Sequence, residues 1–561
     1  MLDGLPQVHP AIVLVLGAVA VAALPRKFGP WLFVAVSALA GLATLGLVDG
    51  TTWHYDFYGF DLTPLRVDGL SLAFSYVFAI ALLAGGIFGM ATMGTLERTS
   101  ALVYAASAFG VVFAGDVVTL FFFWELKVSA STLLVFARRT AASSAAALRY
   151  LFVNLAGGIV LLAGIVWWII DTGSVAFGNF GLNGGATILI LIGFCVAAAA
   201  VPLHAWMPDA YPASTIAGTV FLAAFTSKAA VYALARGFPG TSVLIWVGVV
   251  MALYGVVFAL SVNDIRRVLV YSSVSQGGFM LAAIGVGTEM ALNGAVAHAF
   301  AHIVYKGLLL MAAGAVLWST GHSRLTQLGG LGRAMPWVAG LYLVGAASIG
   351  SIPLFSGYVT KEMATLGIEE AGFHTAYWLL KLASVGTLFV VAFRLPWFTW
   401  FARPAADASA SNSASATSAA VLTRKVTPSM YVAMGALAVV NIAIGIAPNL
   451  VYDVLPFAVD YSPFKTYRVV NAVALAAGAA VAFWLVRKWL AGRPVRVVDT
   501  DWVYRDLPRH LAPAVGRLRM PEVHMKLPTA PGTPVWASTL WVSGAVVIVT
   551  FVVVLAIGVT S

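Results

Sequence analysis

The sequence contains little cysteine, little charge and no nucleotide-binding loop. Its 561 residues include one cysteine, Cys195, and only 10% are charged, whereas 61% are hydrophobic. One cysteine excludes an internal disulfide and the thiolate clusters that hold iron–sulfur centres or structural zinc. The absence of a Walker loop from the sequence removes ATP as the obvious energy source. A soluble domain carries about 25% charged residues, so the composition predicts a membrane protein with many spans.

Long apolar stretches fill most of the sequence. A helix needs about 20 apolar residues to cross a bilayer, and on that criterion we count about 16 candidate spans. The predicted fold class is an all-α polytopic membrane protein. We interpret the first apolar stretch, residues 11–24, as a retained helix and not as a signal peptide, because Arg26 and Lys27 follow it instead of preceding it.

Basic residues at the ends of the predicted spans indicate the orientation of the chain. With the N-terminus outside, the acidic stretches also lie outside, namely Asp49 to Asp68, Asp171, Glu369/Glu370 and Asp453/Asp460. The basic clusters then lie in the cytoplasm, where loops carry an excess of Lys and Arg. These clusters are Arg26/Lys27, Arg138/Arg139/Arg149, Arg266/Arg267, Arg324/Arg333, Arg424/Lys425 and Arg487/Lys488/Arg493/Arg496. The net charge of +10 is therefore explained without a nucleic-acid partner.

Two predicted spans are interrupted. The seventh ends in VPLHAWMPDAYPAS, with Pro202, His204 and Pro208, and the twelfth contains SIGSIPLFSGYVTKE, with Pro353 and Gly357. Proline breaks a helix, and a membrane tolerates irregular backbone only where protein or a wet cavity satisfies it. Breaks five spans apart predict two inverted five-helix repeats around a transport site. Two unrelated proline kinks are the alternative.

These features divide the chain into units. The predicted units are N-terminal helices 1–3 at 1–98, a first five-helix repeat at 99–236, a second five-helix repeat at 243–400, a flexible cytoplasmic linker at 402–425, helices 14–15 at 428–486, a cytoplasmic surface segment at 487–535 and a C-terminal helix at 536–561. The linker prediction depends on a composition rich in serine and alanine.

Ionisable residues lie in the middle of several predicted spans. Glu125, Lys228, Lys306, Lys361 and Lys381 have apolar residues on both sides. A charge at mid-bilayer costs about 2.5–3.5 kcal/mol on insertion scales, so such residues usually line a hydrated route for protons or ions. We therefore expect these side chains to face a polar interior.

The strongest local pattern lies in AVAHAFAHIVYKGLLLMAAG. His298, His302 and Lys306 recur four residues apart, on one helical face and about 6 Å apart along the axis. A row of groups that gain and lose protons suits a proton relay. Zinc binding by the two histidines is one alternative, but Lys306 would repel the ion and no HExxH glutamate is present. A structural row of interhelical hydrogen bonds is the other.

Four further ionisable positions complete the candidate pathway. We interpret Lys228 as a proton switch, with a lysine that snorkels to the interface as the alternative. Lys127 points to the face opposite Glu125, so it should not pair with that carboxylate, and it either snorkels or faces a second cavity. Glu362 follows the second break and should line a cavity. Lys381 is a further candidate for the pathway, with a position at the membrane interface as the alternative.

Several segments together resemble the antiporter-like membrane subunits shared by respiratory complex I and the Mrp-type multisubunit cation/proton antiporters. The resemblance is closest to the D-type protein of the Mrp antiporters. It rests on VDGLSLAFSYVF at 67–78, FFFWELKVSASTLLVF at 121–136, PLHAWMPDAYP at 202–212, FTSKAAVYALARGFPG at 225–240, NDIRRVLVYSSVSQGGFM at 263–280, HAFAHIVYKGLLLMAAG at 298–314 and PLFSGYVTKE at 353–362. These segments occur in the family's order.

The resemblance implies a core of about 14 helices with inverted five-helix repeats, to which this chain adds C-terminal helices. It also implies transport roles for Glu125, Lys228, His298, His302, Lys306 and Lys361. The family commonly carries a lysine five residues before the proline of the PLH motif, where this chain has Ala197. The usual glutamate–lysine pair therefore lacks its lysine, so either the proton route differs here or this protein relies on its partners.

These observations predict a proton-translocating membrane subunit of a multisubunit antiporter that exchanges Na+ for H+ in a prokaryotic plasma membrane. Its expected partners are other integral-membrane subunits, protons, monovalent cations and the lipid bilayer. We expect no bound cofactor, no metal and no enzymatic reaction. The alternatives are a proton-pumping subunit of a complex I-like or membrane-hydrogenase assembly, an energy-coupling subunit of an inorganic-carbon uptake complex with a soluble zinc enzyme, and a scaffold that transports nothing.

Overall fold

The computed structural model describes residues 7–402, 422–490, 499–500 and 502. Within these residues, 10 helices are long and apolar enough to cross a membrane, and four shorter apolar helices accompany them. The prediction of a helical polytopic membrane protein is confirmed. The predicted C-terminal helix at 536–561, most of the linker at 402–425 and most of the surface segment at 487–535 lie outside the described residues.

The first half of the chain ends with the first interrupted span and the helix after it. Its elements are α1 (Pro10–Ala23), α2 (Gly29–Leu45), β1 (Thr52–Phe57), β2 (Phe60–Arg66), α3 (Gly69–Gly89), α4 (Thr95–Phe113), α5 (Val117–Phe136), α6 (Ala141–Thr172), α7 (Gly185–Ala197), α8 (Trp206–Ala213) and α9 (Ile216–Gly237). The seventh predicted span is thus broken between α7 and α8.

The second half repeats this pattern. Its elements are α10 (Val243–Ser261), α11 (Ile265–Val286), α12 (Glu289–Thr320), a 3-10 turn (Leu325–Gln327), α13 (Pro336–Ile349), α14 (Ser356–Glu370), α15 (His374–Thr387), π-helical segments (Leu388–Arg394 and Trp397–Phe401), α16 (Pro428–Ile446), α17 (Asn449–Tyr452) and α18 (Thr466–Val486). The twelfth predicted span is broken between α13 and α14.

Side-chain caps fix where several helices begin. A Ser, Thr, Asp or Asn at the N-cap accepts a hydrogen bond from an N–H group that has no partner inside the helix. Among the described helices, six carry such a cap, namely Asp68 for α3, Asp116 for α5, Thr140 for α6, Thr215 for α9, Asp264 for α11 and Thr288 for α12.

An antiparallel hairpin occupies the segment between α2 and α3. Strands β1 and β2 pair through Phe57 and Phe60, around a turn in which Tyr58 and Gly59 both have positive φ. This backbone is the tight two-residue turn that suits the twist of paired strands. The sequence analysis expected only an acidic external segment here, so the hairpin adds a small sheet to an otherwise helical fold.

The same backbone motif ends the first half of each broken helix. After α7, the N–H of Ala199 donates to the oxygen of Val196 and that of Ala200 to Cys195; after α13, Ser351 donates to Ser348 and Ile352 to Ala347. Ala199 and Ser351 have φ of 57° and 56°. Each is a Schellman cap with a left-handed residue, which glycine usually provides. The two breaks therefore match in backbone geometry, which supports the predicted repeat.

Helices α9, α11 and α12 form the centre of the molecule. In the most apolar 18-residue stretch of each helix, 94%, 100% and 94% of the residues are buried inside the protein. The corresponding stretch of α18 is only 11% buried. Because α9 and α12 carry four of the predicted ionisable residues, the central position of these helices keeps those residues away from lipid.

Candidate functional site

The ionisable residues predicted within the spans face the protein interior. Their exposed fractions are 3% for Glu125, 0% for Lys127, 1% for Lys228, 0% for His298, 0% for His302, 1% for Lys306 and 1% for Lys361. Glu362 and Lys381 are partly exposed. The buried lysines therefore do not snorkel to the membrane surface.

Lys306 lies on α12 against a polar stretch of α11. Its ammonium group donates to the backbone oxygen of Leu269 at 3.0 Å and to the hydroxyl oxygen of Ser272 at 2.6 Å. No ion pair of the described residues includes Lys306. Lys306 can therefore release a proton without leaving a buried carboxylate unpaired.

Lys228 lies on α9 beside the same face of α12. Its ammonium group donates to the hydroxyl oxygen of Ser227 at 3.2 Å. Helices α9 and α12 pack against each other. The two ring nitrogens of His302 have no hydrogen-bond partner among the described residues. His302 can therefore take up or release a proton without breaking a hydrogen bond to another described residue.

Gln276 of α11 connects two residues of α12. Its side-chain oxygen lies 3.1 Å from His298 Nε2 and accepts a hydrogen bond from the Tyr305 hydroxyl at 3.3 Å. The other ring nitrogen of His298 lies 3.5 Å from Thr360 Oγ1, on the helix that carries Lys361. The polar contacts therefore continue from α12 to α14. Sequence analysis missed Gln276, whose only signal was an amide side chain in an apolar helix.

Lys361 lies on α14, and its side chain reaches back to the end of α13 at the second helix break. Its ammonium group donates to the backbone oxygen of Ile349, the last residue of α13, at 2.7 Å, and to Ser384 Oγ at 3.3 Å. The Phe279 ring lies below it, with 5.3 Å from the nitrogen to the ring centroid. The free carbonyl oxygens at a helix C-terminus attract a cation. The break therefore provides a site for a positive charge.

A cavity begins next to Lys361, in the segment of α14 that follows. Glu362 Oε2 accepts a hydrogen bond from the Lys381 ammonium group at 2.5 Å, and both side chains are partly exposed. The cavity has a volume of about 670 Å³ and its lining includes Glu362, Glu369, Tyr377, Lys381, Tyr461 and Arg468. Lys381 thus lines a cavity together with Glu362.

Glu125 and Lys127 of α5 face different neighbours. The carboxylate of Glu125 lies against Gly158 of α6, where an added Cβ would overlap its Oε1 atom. The Lys127 ammonium group lies over the Trp124 ring, 3.5 Å from the centroid. No ion pair among the described residues joins the two, which agrees with their predicted separation. Glu125 Oε1 and Lys127 Nζ have no hydrogen-bond partner in the described part of the chain.

A hydroxyl cluster joins α5 to α9. It consists of Ser131, Tyr150, Thr226 and Tyr104. The Tyr150 oxygen lies 2.8 Å from Ser131 Oγ and 3.3 Å from Thr226 Oγ1, and the Tyr104 hydroxyl contacts the same threonine and accepts from its N–H group at 2.8 Å. Thr226 precedes Lys228 by two residues. The cluster therefore connects the helix of Glu125 with the helix of Lys228.

The residues predicted at the breaks lie where the helices are interrupted. Pro202 and His204 lie between α7 and α8, Pro208 is in the first turns of α8, and Pro353 lies between α13 and α14. Gly357 is in the first turn of α14 and donates its N–H to Ser348 Oγ at 2.9 Å. In the described ranges, no group of three or more His, Cys, Asp or Glu side chains is placed to hold a metal ion.

The chain is similar to known membrane proteins in both sequence and fold. Residues 114–390 match the family described as "NADH:quinone oxidoreductase/Mrp antiporter, TM". The chain is 31% identical, over 61% of its length and 75% of the relative, to the N subunit of NADH-quinone oxidoreductase from Desulforudis audaxviator. The chain belongs to this family of antiporter-like membrane subunits.

Two further comparisons link this family member to Mrp proteins. It is 29% identical, over 51% of its length, to the D-type protein of the Na(+)/H(+) antiporter from Alkalihalophilus pseudofirmus. The match covers 63% of that relative. A chain in the structure of the Mrp complex from Dietzia sp. DQ12-45-1b shares the fold with a TM-score of 0.71 at 24% identity, covering 86% of this chain and 98% of that one. The recognition of an antiporter-like family from the sequence is confirmed.

Proposed function

We propose that this chain is the proton-translocating membrane subunit of a multisubunit monovalent cation/proton antiporter, with Na+ as the exchanged cation. The supporting observation is the buried row of ionisable and polar side chains from Lys228 on α9 to Lys361 on α14. Charged groups inside a membrane protein usually mark an ion or proton route. Similarity to the D-type protein of an Na(+)/H(+) antiporter favours the exchange.

The proton passes along the row in short steps. It moves from Lys228 to the His302 and Lys306 region of α12, and then to His298. Gln276 and Thr360 bridge His298 to Lys361, since both are within 3.5 Å of the imidazole. Because neighbouring positive charges repel, arrival of a proton at one lysine favours release from the next. Repulsion of this kind moves protons in one direction when entry and exit are controlled.

The ends of the route are the hydroxyl cluster and the cavity at Glu362. Glu125 passes protons toward Lys228 through Tyr150 and Thr226, whose oxygens are 3.3 Å apart. At the other end, the pair of Glu362 and Lys381 accepts protons from the row and releases them into the cavity. A membrane potential of 100 mV contributes about 2.3 kcal/mol for each charge that crosses, which drives the exchange.

The basic residues support the proposed orientation, with the N-terminus outside a prokaryotic plasma membrane. Arg138, Arg139 and Arg424, from loops assigned to the cytoplasm, line one cavity of about 710 Å³. Arg138 and Arg266 both donate to the backbone oxygen of Pro212 at 2.9 Å. These loops therefore meet at one end of the molecule, as the positive-inside rule requires. The proposed partners are the other membrane subunits of the antiporter.

Replacement of Lys228 by methionine tests the proposal in the complete complex. Methionine keeps much of the side-chain length but carries no proton, so we expect Na+-dependent proton release from everted vesicles to fall by about a hundredfold or more. Lys27→Met, at an exposed position between α1 and α2, is the matched control and should retain transport. Wild-type exchange in an assembled Lys228→Met complex would contradict the proposal.

A redox-driven complex is the second candidate. It is favoured by the 31% identity to the N subunit of NADH-quinone oxidoreductase over 75% of that protein. The single cysteine means that the redox groups would lie in other chains. Purification of the native complex discriminates the two candidates. Co-purifying iron–sulfur or flavin subunits would favour redox coupling, and an assembly of membrane subunits alone would favour antiport.

A further inference from the structure

A carboxylate from beyond the last described transmembrane helix lies inside the first helix break. Asp499 follows α18 in sequence, but only 6% of it is exposed. Its Oδ1 accepts a hydrogen bond from the Tyr254 hydroxyl at 2.5 Å, and its Oδ2 accepts one from Tyr271. The ring of His204 places Nε2 3.3 Å from Oδ1. A residue far along the chain therefore completes a buried polar cluster at the break.

The neighbouring residue adds a second contact. Thr500 donates its hydroxyl to the backbone oxygen of Pro202 at 3.2 Å. That oxygen belongs to the irregular backbone between α7 and α8, where helical hydrogen bonds are missing. A break in a membrane helix needs such outside partners. Asp499 and Thr500 together therefore place a carboxylate beside the His204 ring and a donor at the backbone of its loop.

Burying the carboxylate of Asp499 costs free energy, so its interior position indicates a functional role. A buried charge is expensive even when it is paired, and replacement by apolar residues is often neutral or stabilising. Burial raises the pKa of Asp499, but His204 and the hydrogen bonds from Tyr254 and Tyr271 outweigh it and hold the pKa below its usual value. The carboxylate is thus kept ionised beside an imidazole, the one side chain that normally titrates near neutral pH.

Among the described residues, the imidazole of His204 has few polar neighbours besides Asp499. It is fully buried, and its ring packs against Tyr254 with the centroids 4.7 Å apart. Among the described residues, no side chain other than Asp499 approaches its ring nitrogens as an acceptor. The last residue of α7 is Ala197, which carries no ionisable group. The pair of His204 and Asp499 therefore lies at the first break, whereas Lys361 serves the second.

We propose that Asp499 and His204 form the proton-exchanging pair of the first helix break, so that the chain beyond α18 supplies the carboxylate of this half of the route. A proton taken up on His204 Nε2 forms an imidazolium that the Asp499 carboxylate stabilises. Its transfer to Asp499 Oδ1 gives a neutral imidazole and a carboxylic acid as the less populated state, and the reverse transfer restores the imidazolium and the carboxylate. Among the described residues, the other titratable or charged groups that face the pair are Tyr254, Tyr271 and Arg267. This inference rests on the proposed proton transport.

Substitutions that separate charge from shape test the pair in the complete complex. Asp499→Asn keeps the size of the side chain but loses the carboxylate, whereas Asp499→Glu keeps the carboxylate. We expect proton transport in everted vesicles to fall at least about tenfold in Asp499→Asn and to be largely retained in Asp499→Glu. Asp453→Asn, at an exposed loop position, is the matched control. Hydrogen exchange of the 198–213 backbone reports whether the C-terminal contact is still in place.

A double substitution and infrared spectroscopy identify a shared proton. The combination of Asp499→Asn with His204→Gln should transport no worse than either single variant, because both residues act in one step. Acidification of the purified complex should produce an infrared difference band from a carboxylate. Asp499→Asn should remove this band, and His204→Gln should change the pH at which it appears. This spectrum does not depend on transport. If the wild-type complex does not transport, the proposed function fails, and the spectrum alone still decides the pair.

Three results would overturn the inference. Wild-type transport by Asp499→Asn shows that the carboxylate carries no proton. Equal loss in Asp499→Asn and Asp499→Glu, with lost protection of 198–213, shows that Asp499 only holds the chain in place. A carboxylate band that His204→Gln leaves unchanged shows that the two residues titrate independently.

Discussion

The ammonium group of Lys361 donates a hydrogen bond to the backbone oxygen of Ile349, 2.7 Å away, where α13 ends. The corresponding end of α7 has a neutral donor, because the Trp206 indole N–H bonds the oxygen of Val196 at 2.9 Å. A charged donor interacts with the partial negative charge of a helix C-terminus, and a neutral one does so only weakly. Proton release from Lys361 therefore changes the hydrogen bonding of the second break directly.

Gln276 offers a test of the connection between α12 and α14. In Gln276→Leu, the His298 ring and the Tyr305 hydroxyl lose a shared partner, and each buried unpaired group costs about 1–3 kcal/mol. We expect proton transport to fall by about tenfold, measured as Na+-dependent proton release from everted vesicles. Gln327→Leu, at an exposed position, is the matched control. Equal rates for the two variants would remove Gln276 from the route.

Tyr150 offers a test of the hydroxyl cluster. Tyr150→Phe deletes only the oxygen that lies 2.8 Å from Ser131 and 3.3 Å from Thr226. We expect slower proton transport with little change in the thermal stability of the purified complex, because the ring and its packing remain. Tyr55→Phe, in the exposed strand β1, should behave as wild type. Unchanged transport in Tyr150→Phe would show that protons reach Lys228 by another path.

Gly357 offers a test of the second break. A Cβ at this position would overlap the backbone oxygen of Ser348, so Gly357→Ala should destabilise the complex by about 1–3 kcal/mol or more. Gly435→Ala on α16 is the control, because a Cβ there meets no atom within 4 Å and alanine favours a helix. Thermal unfolding of the purified complexes provides the measurement. A Gly357→Ala complex as stable as Gly435→Ala would show that α13 and α14 can move apart freely.

The sequence predicted features that depend on local patterns. Apolar length located the spans, and proline with glycine located both breaks. The spacing of His298, His302 and Lys306 placed three groups on one face of α12, and the structure buries all three. Insertion cost predicted that Lys228 would face inward, and its exposed fraction is 1%. These predictions needed only chain geometry and the free-energy cost of burying charge.

Features made by distant residues could not be predicted in the same way. Gln276 matters because α11 packs beside α12, and its sequence neighbours reveal nothing of that contact. Asp499 was assigned to a surface segment, although its carboxylate is buried against α10, α11 and the loop before α8. The hairpin between α2 and α3 was missed because its only local signal was the Tyr58-Gly59 turn.

The matching caps at Ala199 and Ser351 give this molecule an internal replicate. Both residues hold a left-handed backbone that is strained for any side chain and relaxed for glycine. A substitution that stiffens or loosens one turn therefore has a natural counterpart in the other half of the same polypeptide. Equivalent substitutions in the two turns can be compared within one protein. The comparison separates the effect of backbone strain on stability from the effect of the different side chains in each half.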